Sequence, residues 1–284
     1  MGVISTRKSR LKGDLTIVPT FRSANITRVS NLQEIVHAGT LGGRQRFLGV
    51  KDWNGTYEEY GLVPTFWPGD KVTWYGSLDG TAGWSGDALV TQTVITIPVG
   101  TKAPPTIAGT FRGVAALSCS DETEITMPSA SEIPETEGLC VQLQPLAGGA
   151  YVNQDGTNEI TITLSVEAQE FHHCGSSGIM DANEGLWDAQ ISYKRYVDDL
   201  TTLPTEGDPY RVRVPIDSTG TSYYQFEFMR VGDMSDILLS RETGELLNVT
   251  IPLFMSMIEL VDAVATRGSG VTKPAGAVWR PDED

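Results

Sequence analysis

The chain is short of the residues that most catalytic and metal chemistry uses. Its 284 residues include 3 His and 3 Cys. The cysteines, Cys119, Cys140 and Cys174, show no CxxC-type metal spacing and leave at least one thiol unpaired, which points to reduced thiols. Positive charge is also scarce: 21 Lys and Arg stand against 36 Asp and Glu, a formal net charge of −15. That balance argues against tight nucleic-acid binding, which depends on neutralising phosphates. No run approaches the roughly 18 apolar residues of a membrane span, and the N-terminal stretch lacks the apolar core of a secretion signal. The longest apolar-looking segment, Ile251 to Ala265, is broken by Pro252, Glu259 and Asp262. It reads as a final strand followed by a short helix or tail.

What the chain does have is glycine, proline and alternation. With 30 Gly and 15 Pro, many turns are expected. Period-two patterns recur: Trp53, Gly55, Tyr57 and Glu59 against Asn54, Thr56, Glu58 and Tyr60, then Val72 and Trp74, then Ile107, Gly109, Phe111 and Gly113. Trp84 to Pro98 carries apolar residues on both faces and reads as a strand covered on both sides. The fold class is therefore all-β with minor α content. Residues 1–13, holding Arg7, Lys8, Arg10 and Lys12, read as a mobile basic arm, and residues 14–118 as a first β domain. Residues 119–138, rich in Glu, Pro and Ser, read as an acidic linker. Residues 139–265 form a second β domain and 266–284 a flexible tail.

The two domains read as a duplication. Ile26, Thr27, Gln33, Glu34, His37 and Gly39 are each matched by an identical residue 136 positions on (162 − 26, 169 − 33), from Ile162 to Gly175. A second Trp-led strand, with Trp187, Ala189, Ile191 and Tyr193 on one face, follows at an offset of 134 (187 − 53). This makes the Trp the expected shared packing anchor, while Lys51 and Asp52 distinguish the halves. The strands at Tyr210 to Pro215, Ser222 to Val231 and Leu247 to Met257 match those at Lys71, Trp84 and Thr106 in order.

No residue is assigned a catalytic, cofactor-binding or metal-ligating role. His172 and Cys174 could share a strand face near Glu170, but His173 points away, and only His37 among their counterparts keeps the residue type. Glu58-Glu59 and Asp198-Asp199 are adjacent carboxylates that diverge on a strand. Gly83-Trp84-Ser85-Gly86 lacks the spacing of a nucleophile elbow, and Gly39 to Gly43 lacks the Lys-Ser/Thr end of a phosphate loop. The sequons at Asn25 and Asn248 carry meaning only with secretion.

Phe47-Leu48-Gly49-Val50-Lys51-Asp52-Trp53-Asn54-Gly55-Thr56-Tyr57-Glu58, Gly83-Trp84-Ser85-Gly86-Asp87-Ala88-Leu89-Val90-Thr91 and Ile107-Ala108-Gly109-Thr110-Phe111-Arg112-Gly113 occur in that order. Together, over residues 24–117, they resemble the major tail tube proteins of long-tailed bacteriophages. The resemblance implies two tandem β-sandwich or barrel domains and a structural virion protein. Three copies would close a pseudo-hexameric ring, and rings would stack head to tail around an acidic lumen through which DNA passes without specific binding. It also implies tail terminator, tape-measure and tail-tip proteins as partners, a place in the virion tail after assembly in the host cytoplasm, and no membrane association. The alternative is a carbohydrate- or host-binding β-sandwich module, for which Trp53, Trp67, Trp74, Trp84, Trp187 and Trp279 are candidate platform residues. A hydrolase has no constellation in its favour.

Overall fold

The computed structural model describes residues 9–35, 45–77, 83–101, 103–121, 124–126, 133–171, 181–197, 200–217, 222–234, 247–255 and 271–272. These form sixteen strands and one turn of 3-10 helix, Leu200–Thr202. The first eight strands are β1 (Arg10–Gly13), β2 (Thr16–Ile17), β3 (Phe21–Ile35), β4 (Gln45–Tyr60), β5 (Lys71–Ser77), β6 (Gly83–Pro98), β7 (Thr106–Gly113) and β8 (Ser118–Asp121). The second eight are β9 (Gln142–Pro145), β10 (Val152–Asn153), β11 (Thr157–Phe171), β12 (Asp181–Val197), β13 (Pro209–Pro215), β14 (Tyr223–Val231), β15 (Leu247–Met255) and β16 (Val271–Thr272).

Both groups pair in the same order. In the first, β3 pairs β4, β4 pairs β7, β7 pairs β6, β6 pairs β5 and β8, and β5 leads on to β1 and β2. In the second, β11 pairs β12, β12 pairs β15, β15 pairs β14, β14 pairs β13 and β16, and β13 leads on to β9 and β10. All pairs are antiparallel, and the chain forms a continuous sheet because β11 also pairs with β6. Within each group, the strands at one end pack across those at the other as a sandwich. Leu11, Val18, Val72 and Trp74 meet Trp53, Tyr57 and Phe111 in the first unit. Val141, Leu143, Val212 and Val214 join Ile191, Tyr193, Ile251 and Leu253 in the second.

The long hairpins agree in register down to their irregularities. In β3/β4 the pairing slips between Phe21↔Glu59 and Ser23↔Glu58, and again between Ser30↔Lys51 and Leu32↔Leu48. Adding 136 to each number gives Thr157↔Arg195, Glu159↔Lys194, Val166↔Trp187 and Ala168↔Glu184, which are the slips of β11/β12. The offset of 136 therefore runs unbroken to the end of the hairpin. It places Trp187 opposite Lys51's position and Ala189 at Trp53's, so the expected Trp-to-Trp equivalence at 134 is off by one pleat repeat. The Trp is not a shared anchor; the two bulges set the register. The same offset pairs Gly49, Asp52, Tyr57 and Tyr60 with the identical Gly185, Asp188, Tyr193 and Tyr196. Gly49 and Gly185 both fall inside the second bulge, a position glycine eases.

The turns before β5 and β13 also match. Gly69 (φ 91°) and Gly207 (φ 84°) both take the left-handed conformation that side chains resist. Gly69 N–H donates to Val90 O at 2.8 Å and Gly207 N–H to Val231 O at 2.8 Å, and Val90 and Val231 return the bond to Asp70 and Asp208. Core chemistry differs at matched sites. In the first unit Gly55 faces Phe111 and Tyr57 faces Gly109 across the β4/β7 ladder. At the same places in the second unit Ile191 faces Leu253 and Tyr193 faces Ile251. The first unit thus alternates glycine with large aromatic rings, including the stacked Trp74–Phe111 pair at 4.8 Å, where the second keeps the tyrosine, as Tyr193, and sets Ile191, Leu253 and Ile251 at the other three places.

Several sequence expectations change. Arg10–Gly13 is a strand paired to β5 and β2, and Leu11 is 1% exposed, so the basic arm is shorter than residues 1–13. The stretch 119–138 is not a free linker. It begins in β8, Ile125 and Thr136 are buried, Arg10 donates to Ile125 O, and Thr136 Oγ1 donates to Pro98 O at 2.6 Å. The two units are not separate bodies, since Leu62, Trp67, Ile95, Ile97 and Ile107 share one core with the second unit. Val271–Thr272, inside the expected flexible tail, pairs with β14. The helix expected after the last strand lies outside the described residues. The both-sided burial expected of β6 holds at Ala88, Leu89 and Val90, all fully buried.

A Cβ added at Gly109 would sit 2.1 Å from the Tyr57 ring. The substitution Gly109→Val is expected to cost about 1–3 kcal/mol by overpacking. Urea denaturation checks this, and Ala108→Val, on the exposed face of the same strand, should change stability by less than about 0.5 kcal/mol.

Candidate functional site

Following the pairing from β3 through β4, β7, β6, β11, β12 and β15 gives a seven-strand run with one face turned away from both cores. Matched residues on that face form rows. One reads Asn25, Thr56, Thr110, Gln92, Ser165, Asp188; another Tyr60, Thr106, Thr96, Thr161, Ser192, Pro252; a third Ser23, Glu58, Ala108, Val94, Thr163, Gln190, Phe254. All of these are partly or fully exposed. The face is polar and mostly uncharged. Two of its carboxylates are ion-paired, Glu58 with Arg22 at 3.3 Å and Glu159 with Lys194 at 2.8 Å.

Backbone pairing makes the face continuous across the two units. β5 pairs with β6 only as far as Leu89, and from Gln92 to Pro98 that strand edge is taken by residues 159–165 of β11. The loop after β4 then seats on the second unit: Trp67 meets Tyr224 edge-on at 6.1 Å, and Tyr224 Oη donates to Leu62 O at 2.7 Å. The far end of the β11/β12 hairpin reaches back over the first unit, where Ala182 packs with Leu89 and Val114. There Glu170 and Asp52 both accept from Arg112 at 2.7 Å, and Asp181 pairs with Lys71 at 2.7 Å.

At the other end of the run, β3 has β4 on one side and no strand on the other among the described residues. Beside it lies an open groove of about 320 Å³ lined by Ala24, Asn25, Ile26, Arg28, Trp84, Leu117 and Cys119. A second hollow, of about 300 Å³, holds Asp14, Lys71, Thr73, Asp87 and Asp181. Its carboxylates are engaged: Thr73 N–H donates to Asp14, Thr73 Oγ1 to Asp87 and Lys71 Nζ to Asp181.

Among the described residues, two charged residues are buried, Glu59 (1% exposed) and Arg195 (8%), and they sit at matched register positions. Each ties its strand to the following loop, and Arg195 also to the turn ahead of β11. Glu59 accepts from Thr65 N–H at 2.9 Å and Thr65 Oγ1 at 2.7 Å. Arg195 donates to Gln154 Oε1 at 2.9 Å and Thr202 O at 3.3 Å. Burial raises the Glu59 carboxyl above its ordinary value, opposed by the two Thr65 hydrogen bonds. Burial, and then the Glu59 charge, raise the Tyr224 phenol as well.

Among the sequence candidates, Glu58 and Glu59 diverge as expected, one to the exposed face and one to the core. Glu170 is held by Arg112. His37, His172, His173, Cys174, Asp198, Asp199 and the Gly39 to Gly43 loop lie outside the described residues. Among the described residues no group of three or more His, Cys, Asp or Glu could hold a metal ion, and no helix is long and apolar enough to cross a membrane. Gly83 to Gly86 lies within a strand, without the strand-to-helix turn of a nucleophile elbow. Of the candidate platform residues, Trp53, Trp67 and Trp74 are buried, Trp84 and Trp187 are partly buried, and Trp279 lies outside the described residues. Arg213 lies over both Tyr151 and Tyr223, at 4.0 and 4.3 Å from their centroids, so those two ring faces are taken as well. The strand edge and the polar face were missed in the sequence because both depend on which strands pair, and alternation alone does not set that.

Because its folded pKa is raised, Glu59 favours the fold most at low pH, and that contribution is lost as pH rises through the folded pKa. The substitution Glu59→Gln is therefore expected to match the wild type near pH 3 and to be the more stable protein at pH 7. Paired urea titrations at the two pH values measure the difference. No family model matches the chain, and no curated protein matches it either.

Proposed function

We propose that this chain is the subunit of a hollow protein tube, a bacteriophage tail tube, built from stacked rings in which three copies present six similar units. The observation that carries this reading is the seven-strand wall, which joins two units of like pairing order edge to edge and, among the described residues, leaves one face polar and exposed. The shared register of the two hairpins, bulges included, supports descent of both units from one by duplication. A wall whose end strand β3 has no second partner among the described residues invites a further copy, because free backbone N–H and C=O groups pair readily with another strand. Repeating the internal join around an axis closes the wall into a barrel.

On this reading the open face lines the bore. It differs from the acidic lumen expected for the family, since Thr, Ser, Asn and Gln dominate it and two of its carboxylates are ion-paired. Such a surface suits the passage of DNA for a related reason: it offers few cations to trap phosphates and hydroxyls that keep it wet. The tape-measure, terminator and tip proteins of such a tail, and a place in the virion, belong to the same proposal.

Negative-stain microscopy of concentrated protein is expected to show hollow tubes or three-copy rings; a chain that stays monomeric in every condition overturns the reading. A second outcome concerns the basic arm. Deleting residues 1–13 would remove β1 and the buried Leu11, so the informative truncation removes residues 1–8 alone. It is expected to shorten tubes while leaving rings intact, as read by sedimentation.

A further inference from the structure

The end of the β11/β12 hairpin covers one place on the first unit. Ala182 lies on Leu89, which is fully buried, and Glu170 joins Asp52 on Arg112, each at 2.7 Å. Pairing register locates the same place in the second unit. Arg112 pairs with Asn54 and Leu89, and Phe254 pairs with Gln190 and Arg230. Asn54 and Gln190 are 136 residues apart (190 − 54), as are Asp52 and Asp188 (188 − 52). Phe254, Arg230 and Asp188 therefore stand where Arg112, Leu89 and Asp52 stand in the first unit. Here the place is open: Phe254 is 44% exposed, Asp188 is exposed and Arg230 partly so. The Phe254 ring is seated on Gly232, where an added Cβ would come within 2.4 Å of it.

We infer that this place receives the end of the β3/β4 hairpin of a neighbouring copy. That hairpin has the register of β11/β12, with Glu34 opposite Arg46 and Leu32 opposite Leu48 where the other has Glu170 opposite Ala182 and Ala168 opposite Glu184. Glu34 is thus the identical counterpart of the residue that holds Arg112. A chain cannot make this contact with itself. β3 and β15 stand at opposite ends of the seven-strand run, six strand spacings or about 29 Å apart, whereas β11 adjoins the strands its hairpin covers. The contact rests on the tube reading and names a surface through which its rings close. It is head to tail, because a hairpin end and the place it covers differ. This end of the polar face is then covered, and the rest is left to the bore.

Composition favours this occupant. Phe254 puts an aromatic ring where the covered place has Arg112, and Leu32 and Leu48 stand in register where the covering hairpin has Ala168 and Glu184. A partly exposed ring is thus met by larger apolar residues, the usual anchor of a contact between proteins. Charge balances as well: Asp188 and Arg230 belong to the open place, and Glu34 and Arg46 to the hairpin end. Glu34 with Arg230 takes the part of Glu170 with Arg112, the guanidinium now coming from the adjacent strand. Opposite charges of this kind steer approach and fix register.

Reversing either charge of that pair in the full chain, by Arg230→Glu or by Glu34→Arg, is expected to raise the concentration for half-assembly about tenfold, and the chain with both changes is expected to assemble like the wild type. Sedimentation velocity over a concentration series reads this. Arg230 also donates to Gly207 O, so circular dichroism checks the fold and a second experiment leaves Arg230 in place. A mixture of Glu34→Cys and Asp188→Cys chains, treated with a short bismaleimide, is expected to give a two-chain product that neither chain gives alone. Rings that tolerate both reversals and give no such product overturn the inference while leaving the tube reading intact. A wild type that sediments as a dimer, with a two-chain product from Asp188→Cys alone, sets two copies of the open place against each other and overturns it too. A wild-type chain that is monomeric throughout overturns the tube reading and the contact with it.

Discussion

The structure depends on a mismatch of strand lengths. β6 runs for 16 residues while β5 runs for 7, so half of one β6 edge is left with unpaired backbone groups. Burying such groups without partners costs more than most side-chain contacts return. β11 supplies the partners from Gln92 to Pro98, and everything that joins the two units follows from that pairing. It brings Ile160, Ile162 and Leu164 onto Ile95 and Ile97, carries Tyr224 beneath Leu62, and sends the β11/β12 hairpin end across to Arg112 and Lys71. The core is shared because the backbone edge had to be shared first.

Backbone geometry is the part the two units hold in common, and side-chain chemistry is where they differ. Register, both bulges, the left-handed glycine before β5 and β13, and the reciprocal bonds to Val90 and Val231 agree. Yet Gly55 and Phe111 are replaced by Ile191 and Leu253, and Glu59 by Arg195. The first exchange keeps a small-plus-large pair close in volume to two medium ones, which cores tolerate. The second reverses a buried charge, and works because each charge finds its own partners, Thr65 in the following loop for one, and Gln154 ahead of β11 with Thr202 after β12 for the other. A buried charge survives only with such partners.

This division also explains what was legible in the sequence. Alternation at Trp53 to Glu59, Val72 and Trp74, and Ile107 to Gly113 placed these residues on buried faces, because side-chain direction on a strand follows from the period of two alone. The equivalence of strands was readable from Ile26/Ile162 onward, but matching Trp53 to Trp187 misplaced the hairpin by two residues. A shift of two keeps every side chain on its face, so periodicity could not detect it. Only the pairing register, with bulges at fixed positions, shows that the identities run through Asp52/Asp188 and Tyr57/Tyr193. In sequence Arg10–Gly13 reads as part of a mobile arm because its charges hide the one buried side chain, Leu11, that docks it.

A wall of paired strands needs residues with high strand propensity on both sides, but an uncovered side cannot be apolar without inviting aggregation. Threonine answers both demands: its β-branch suits the extended backbone and its hydroxyl keeps the surface wet. Direct cross-strand pairs such as Thr56↔Thr110, Thr106↔Thr96 and Thr96↔Thr161 recur along the run, each contributing roughly 0.2–1 kcal/mol relative to alanine pairs. The same hydroxyls carry no net charge. A surface chosen for the stability of an open sheet is therefore also one along which a polyanion can move without being held, so the demands of folding and of the proposed conduit fall on the same residues.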